Sequence, residues 1–409
     1  MNVLFVHRFF PGQFEQTAKA LAVDAGNHVV FVHEKGSERI RGVENVQIHT
    51  KGASPSTHHY LQSLEAAVRL GQAAYLACRG LARQGFRPDL VCAHAGFGPG
   101  LYVKDAFPEI PVLGYFEWYY HALGADAGFF DPSEVSEDDR LRIRTRNAGI
   151  LLELAHCDRA ICPTLFQKQQ FPLEFADKLQ ILHDGIDTVR FQPRPAERRS
   201  LISELCLPDD AEILTYAARG LEPYRGFTPF MAALAKLQPM RPRLHAVIVG
   251  ADRAYYGKRL PDGDSYVDLV RRQLPDLDWR RIHLTGPLPM EAYRRVLQAS
   301  DVHVYLTVPF VLSWSLLEAM AVGCSIVGSA TKSVEEVIVH GDTGLLADLR
   351  SPADIAAQIS VLLDDASLRH HVGARARKLI EDRYALAKLL PMHLDVCRQM
   401  AAEATKPGK

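Results

Sequence analysis

Short apolar runs rich in β-branched residues alternate with helix-patterned stretches along this chain, and past residue 199 the alternation begins again. The first set of runs is NVLFVH (2–7), HVVFVHE (28–34), DLVCAH (89–94), IPVLGYFE (110–117), DRAICP (158–163) and LQILHDGID (179–187). Helical stretches at 14–26, 59–84 and 137–156 separate several of them. Apolar strands alternating with helices read as a parallel sheet covered on both faces. GIDTVRFQPRPAERR (185–199), rich in turn residues and charge, reads as the boundary.

The second set runs EILTYAA (212–218), RLHAVIVG (243–250), RIHLTG (281–286), DVHVYL (301–306), CSIVGS (324–329) and TGLLAD (343–348). Helices are expected between them and at about 353–363 and 367–382. A last helix is expected over 385–404, broken at Pro391. The fold class is therefore α/β, with two Rossmann-like, doubly wound parallel sheets in series. The expected domains are residues 1–190 and 191–384, with a tail helix at 385–409.

In open parallel sheets ligands bind beyond the carboxyl ends of the strands. Helix N-termini there attract phosphate, so a nucleotide ligand is expected. A dinucleotide oxidoreductase is disfavoured: neither HRFFPGQFEQ after the first strand nor ARGLEPYRGF after the restart has a G-x-G-x-x-G. Lys and Arg total 47 against 48 Asp and Glu, with no basic half, which argues against nucleic acid as a partner. The seven scattered cysteines form no C-x-x-C, and read as free thiols of a cytoplasmic protein. No apolar run approaches the roughly 18 residues of a membrane span. The first residues run straight into a strand, so no leader is expected; peripheral contact with the inner face of a membrane stays open.

Three stretches carry candidate chemistry. In AARGLEPYRGF (217–227), Arg219 stands just past a strand and Arg225 six residues on. Two guanidiniums there suit a diphosphate, or they are simply solvated. In SLLE, Ser315 and Glu318 fit a capping box, while Glu318 would also suit ligand hydroxyls. VHGDTGLLAD (339–348) is expected only to shape the fold.

With ILHDGIDTVRFQP (181–193), DVHVYLTVP (301–309) and LLEAMAVGCSIVGS (316–329), these stretches match, in order and spacing, one known family. The chain resembles the retaining, nucleotide-sugar-dependent glycosyltransferases of family four (glycosyl transferases group 1). The resemblance implies a GT-B fold, two Rossmann-like domains facing across a cleft, with the tail helix crossing back to the first. It implies hexosyl transfer from a UDP- or GDP-sugar to a carbohydrate or lipid-linked acceptor, in surface glycan or glycolipid assembly. Arg219 and Arg225 would grip the donor diphosphate, and Glu318 the ribose hydroxyls. Gly12 would admit the diphosphate and sugar, and Pro287 and Leu288 would lie along the base. No D-x-D stands at a strand end, so neither metal nor other cofactor is expected.

Two departures stand out. Phe310 replaces a glutamate expected eight positions before Glu318, followed by Val311, Leu312 and Ser313 instead of Gly-Phe-Gly. The backbone N–H groups of Leu312 and Ser313 are the expected substitutes. At the end of the IPVLGYFE run, Glu117 stands near the place of a family histidine, in Glu117-Trp118-Tyr119-Tyr120-His121. Glu117 is a candidate catalytic group that would compensate for the carboxylate lost at Phe310; Trp118 and His121 would face sugar. The alternative is an aromatic core with Glu117 paired to an arginine. His94, at another strand end, is an acceptor-side candidate or a core histidine. Two further readings stay open, a nucleotide-sugar epimerase and a sugar-nucleotide-binding protein without turnover. Product analysis with donor alone separates the first, and donor binding without transfer the second.

Overall fold

A computed structural model describes residues 1–36, 38–258 and 260–404. The chain divides into two units, one formed by Met1–Gly185 with Ala387–Lys409, the other by Ile186–Leu386. The expected limits were 190 and 384.

The first unit is built on seven parallel strands: β1 (Asn2–Phe9), β2 (His28–Lys35), β3 (Val43–Gln47), β4 (Leu90–His94), β5 (Val112–Tyr115), β6 (Arg159–Cys162) and β7 (Leu179–Ile181). Their order is β3-β2-β1-β4-β5-β6-β7. Strand alternation divides the apolar residues between two faces. Leu4, Val6, Val30 and Val91 pack with Leu70, Ala74 and Cys78 of the helix Gln62–Arg83. Val3, Phe5, Phe31 and Cys92 pack with Phe14, Leu21 and the final helix, Leu386–Ala404.

The second unit carries six parallel strands: β8 (Glu212–Gly220), β9 (Leu244–Ala251), β10 (Ile282–Gly286), β11 (Val302–Tyr305), β12 (Ile326–Ser329) and β13 (Leu345–Ala347). Their order is β10-β9-β8-β11-β12-β13. Each sheet has one switch point, between β1 and β4 and between β8 and β11, where ligand crevices of such sheets form.

Four expectations need correction. β3 was missed: VENVQ is a short edge strand with two apolar residues, and no apolar run announces it. The helix expected at 137–156 is two, Glu137–Arg146 and Ala148–His156, meeting at Asn147. The buried Asn147 amide turns away to bond the backbone N–H and C=O of Tyr120. The boundary stretch already contains the start of a helix, Ala196–Glu204. The final helix is not broken at Pro391. An interior proline costs about 3 kcal/mol. Burying Val396 and Met400 returns roughly 3–6 kcal/mol, enough to hold the helix on the sheet.

Of the seven cysteines, all are free thiols and only Cys206 is exposed. Among the described residues no helix is long and apolar enough to cross a membrane.

Candidate active site

In the second unit the candidate residues gather beyond the carboxyl ends of the strands flanking the switch point. β8 ends at Gly220, so Arg219 projects, exposed, from its last turn of pleat. A short 3-10 turn, Pro223–Arg225, brings Arg225 back beneath the segment after β11. Arg225 is buried, and its Nη1 donates to Thr307 Oγ1 (3.0 Å) and Val311 O (3.2 Å). Its guanidinium also lies 5.0 Å from the Tyr256 ring centre and 5.4 Å from that of Phe310. Among the described residues no carboxylate is ion-paired with Arg219 or Arg225, although most other arginines of the unit have one.

Phe310 is therefore no orphan of a lost carboxylate. It is buried and packs edge-on against Tyr224, at 5.0 Å, with Tyr256 beside it. Where an acidic side chain was expected, an aromatic wall lies against Arg225.

The capping box is not formed. The helix starts at Trp314, and Ser313 is its N-cap, accepting from the Ser315 N–H. Of two serines two residues apart, the one ahead of the first helical turn takes the cap. Glu318 then lies inside the helix, half-buried, and accepts from the Tyr293 hydroxyl at 3.0 Å. Burial pushes its carboxyl up to about 7, against the pull of that hydrogen bond and of the Arg190 charge. The Ser313 N–H expected to substitute for the missing glutamate is already donated to the Tyr305 hydroxyl at 3.0 Å. Leu312 is buried beside it. Pro287 and Leu288 follow β10, Pro287 exposed and Leu288 packed partly into the core.

In the first unit, Gly12 adopts φ +54° in the loop after β1. A Cβ there would come within 2.8 Å of the His7 ring, so the glycine makes room for that histidine. The Phe9 N–H donates to His7 Nδ1 (2.7 Å), which puts the His7 proton on Nε2, donated to Gln13 Oε1 (2.8 Å). Gln13 in turn donates to Glu117 Oε1 (2.9 Å), and His94 Nε2 to Glu117 Oε2 (3.1 Å). His7 and His94 are buried, with ring centres 4.1 Å apart. Burial opposes the Glu117 charge, but the hydrogen bond and charge of His94, with Gln13, outweigh it and hold the carboxyl below its ordinary value. Glu117 is thus a fixed, ionised acceptor at a strand end, and its partner is a histidine, not an arginine.

Trp118 does not offer its face to a sugar. It lies past the end of β5, buried beside Phe166. His121 is half-buried and donates to Gln170 O at 2.8 Å.

A cavity of about 390 Å³ opens in this unit beside the ends of β1, β2 and β4. Arg8, Glu34, Lys35, Arg146 and Glu153 line it. Arg8 is paired with Glu34, and Arg146 lies over the Tyr120 ring. Glu153 accepts from the N–H groups of Gly96 (3.0 Å) and Gly100 (3.2 Å), and burial pushes its carboxyl up to about 8. Its volume falls in the range of small-ligand sites. Sequence reasoning missed this cavity and the His7–Gln13 link, because neither is written in contiguous residues.

Two family models match. Residues 25–191 fit the glycosyl transferase family 4 group, and residues 197–379 the glycosyl transferases group 1. A D-inositol 3-phosphate glycosyltransferase of Kineococcus radiotolerans is 24% identical over 386 residues, covering 87% of this chain and 86% of that protein. One from Corynebacterium efficiens is 27% identical over 208 residues, covering 49% of this chain and 46% of that protein. In that second match, the chain spans less than half the relative's length. Among solved structures, the sucrose-phosphate synthase of Thermosynechococcus elongatus has a TM-score of 0.74 at 18% identity, covering 98% of this chain and 99% of that one. Anabaena HepE in complex with UDP-glucose has a TM-score of 0.72 at 14% identity, covering 98% and 100%. The fold is accordingly the GT-B type. Together the two family models account for most of the chain, which belongs to the group 1, family 4 glycosyl transferases.

Proposed function

We propose that this chain transfers a glycosyl group from a nucleoside-diphosphate sugar to an acceptor hydroxyl, with retention at the anomeric carbon. The observation that carries the reading is the pair Arg219 and Arg225, two guanidiniums at the switch point of the second sheet that are ion-paired with no carboxylate among the described residues. HepE, solved with UDP-glucose, supports this class of donor. The bond from the anomeric carbon to the diphosphate breaks as the acceptor hydroxyl attacks from the same face. The acceptor's proton passes to the leaving phosphate oxygen. No protein nucleophile is needed, and catalysis is mainly stabilisation of the departing diphosphate. Glu318 meets the ribose hydroxyls, and Pro287 and Leu288 the base.

The 390 Å³ cavity is the proposed acceptor site. Lys35 and Arg146 on its wall have no carboxylate partner among the described residues, which favours a polyol carrying an anionic group. The relatives that act on inositol 3-phosphate are in keeping with that class.

A thermal-shift panel of UDP-, GDP- and ADP-sugars tests the donor. One base class is expected to raise the melting temperature; a ligand at a hundred times its dissociation constant adds about 2.7 kcal/mol. A flat panel would reject the reading.

Glu117 is assigned to a substrate hydroxyl. A hydrogen bond to a charged group is worth about 1.5–3 kcal/mol. Glu117→Gln is therefore expected to lower kcat/KM roughly tenfold to a hundredfold. Unchanged donor KM and turnover would remove Glu117 from the site.

A further inference from the structure

The turn after β9, residues 252–257, is pinned to the end of β8 by two separate contacts. The first is a close approach. A Cβ on Gly220 would meet Arg253 O at 2.4 Å and the Tyr255 ring at 2.7 Å. Only glycine lets the turn lie there, directly beside Arg219. The second is Glu222, which is entirely buried. Its carboxylate accepts the N–H groups of Tyr255 (3.0 Å), Tyr256 (3.2 Å) and Gly257 (2.7 Å). Three successive N–H groups form an anion-binding concavity, filled here by the chain's own carboxylate. A buried charge so placed is tolerated only because its hydrogen bonds are made, and breaking them frees the turn.

What the turn carries explains the anchoring. The Arg219 guanidinium lies 4.5 Å from the Tyr255 ring centre, and the Arg253 guanidinium 4.4 Å. Arg253 also donates to the Tyr255 hydroxyl. Tyr256, next in the turn, stands against Arg225. Among the described residues neither Arg219 nor Arg253 has a carboxylate partner. Two like charges sharing one aromatic ring are each attracted by its face, and together they lack an anion.

We propose that Arg253 is a third guanidinium of the donor diphosphate site, and that Glu222 is the positioning residue that holds it there through the turn. This rests on the donor reading above. Glu222 touches no ligand; it acts by fixing where Arg253, Tyr255 and Tyr256 stand.

The test is calorimetry on the full chain with UDP, GDP and ADP as probes, and with the matching monophosphate as control. Arg253→Ala is expected to weaken the bound diphosphate on the order of tenfold to a hundredfold. The monophosphate should change much less. Arg253→Lys keeps the charge without the fork and should fall between. Glu222→Gln should weaken the diphosphate at least as much as Arg253→Ala. The double variant should bind like Glu222→Gln alone, since interacting residues are not additive. Effects that multiply would reduce Glu222 to a structural residue and overturn its assignment. Wild-type affinity in Arg253→Ala would overturn the third guanidinium while leaving the donor reading intact. A wild-type chain that binds none of the three probes would overturn both. Arg253 is exposed, so its variants keep the test decisive even where Glu222→Gln fails to fold.

Discussion

Arg219→Ala is expected to fold normally and to lose at least about a hundredfold in turnover. The side chain is exposed and its one described contact is the Tyr255 ring, so its removal leaves no buried group stranded. What is lost is charge facing the departing diphosphate. By comparison with single oxyanion donors this is worth about 2.7–4 kcal/mol of barrier. Arg225→Ala should cost as much in rate and also lower the melting temperature. Its removal strands Thr307 Oγ1 and the Val311 carbonyl in a buried site. Steady-state rates and melting curves on both variants separate the two effects. Near-normal turnover in both would remove the arginines from the chemistry.

The second large effect is on stability. The Glu153 carboxyl, pushed up to about 8 by burial, holds its proton in the native state long after the unfolded chain has lost it. Its contribution is full below its ordinary value, 4.5, and is lost as pH rises through about 8. At about 1.4 kcal/mol per unit this is on the order of 4 kcal/mol. Glu153→Gln carries no such titration. The difference in unfolding free energy, wild type minus variant, should therefore fall by that amount between pH 4.5 and 8. Denaturant curves across that range measure it. Parallel pH profiles for the two proteins would mean that Glu153 is already ionised in the native state. At neutral pH the wild-type carboxyl is thus a neutral group on the cavity wall, able to donate as well as accept.

Much of this architecture is legible in the chain because buried parallel strands are apolar runs, and runs are visible. The limits of that signal are equally physical. β3 is an edge strand, whose exposed alternation resembles a loop. Glu318 could be singled out as a lone carboxylate in an apolar helix, yet its partner Tyr293 lies on another helix. Glu222 passed unnoticed because its partners are main-chain N–H groups more than thirty positions away, and backbone donors leave no mark on sequence. The aromatic pair in DRAYYG was the available signal. For Trp118 the aromatic-core alternative holds: it is buried beside Phe166, a residue 48 positions away that the local run EWYYH does not reveal. Glu117 was found as a candidate, but its links to Gln13 and His94 span 104 and 23 positions.

The chain leaves the first unit at Gly185 and returns to it only at Ala387. Within the second unit these crossings are bonded neighbours: Ile186 donates to Tyr384 O and accepts from Leu386 N. That arrangement sets an order of events on the ribosome. About 200 residues must be made before the last helix can cover Val3, Phe5 and Cys92, a wait of about 10–40 s at ordinary synthesis rates. The second unit, contiguous in sequence, can be complete while the first still shows an uncovered apolar face. The strands of the first unit therefore need shelter during synthesis until the helix Leu386–Ala404 provides it.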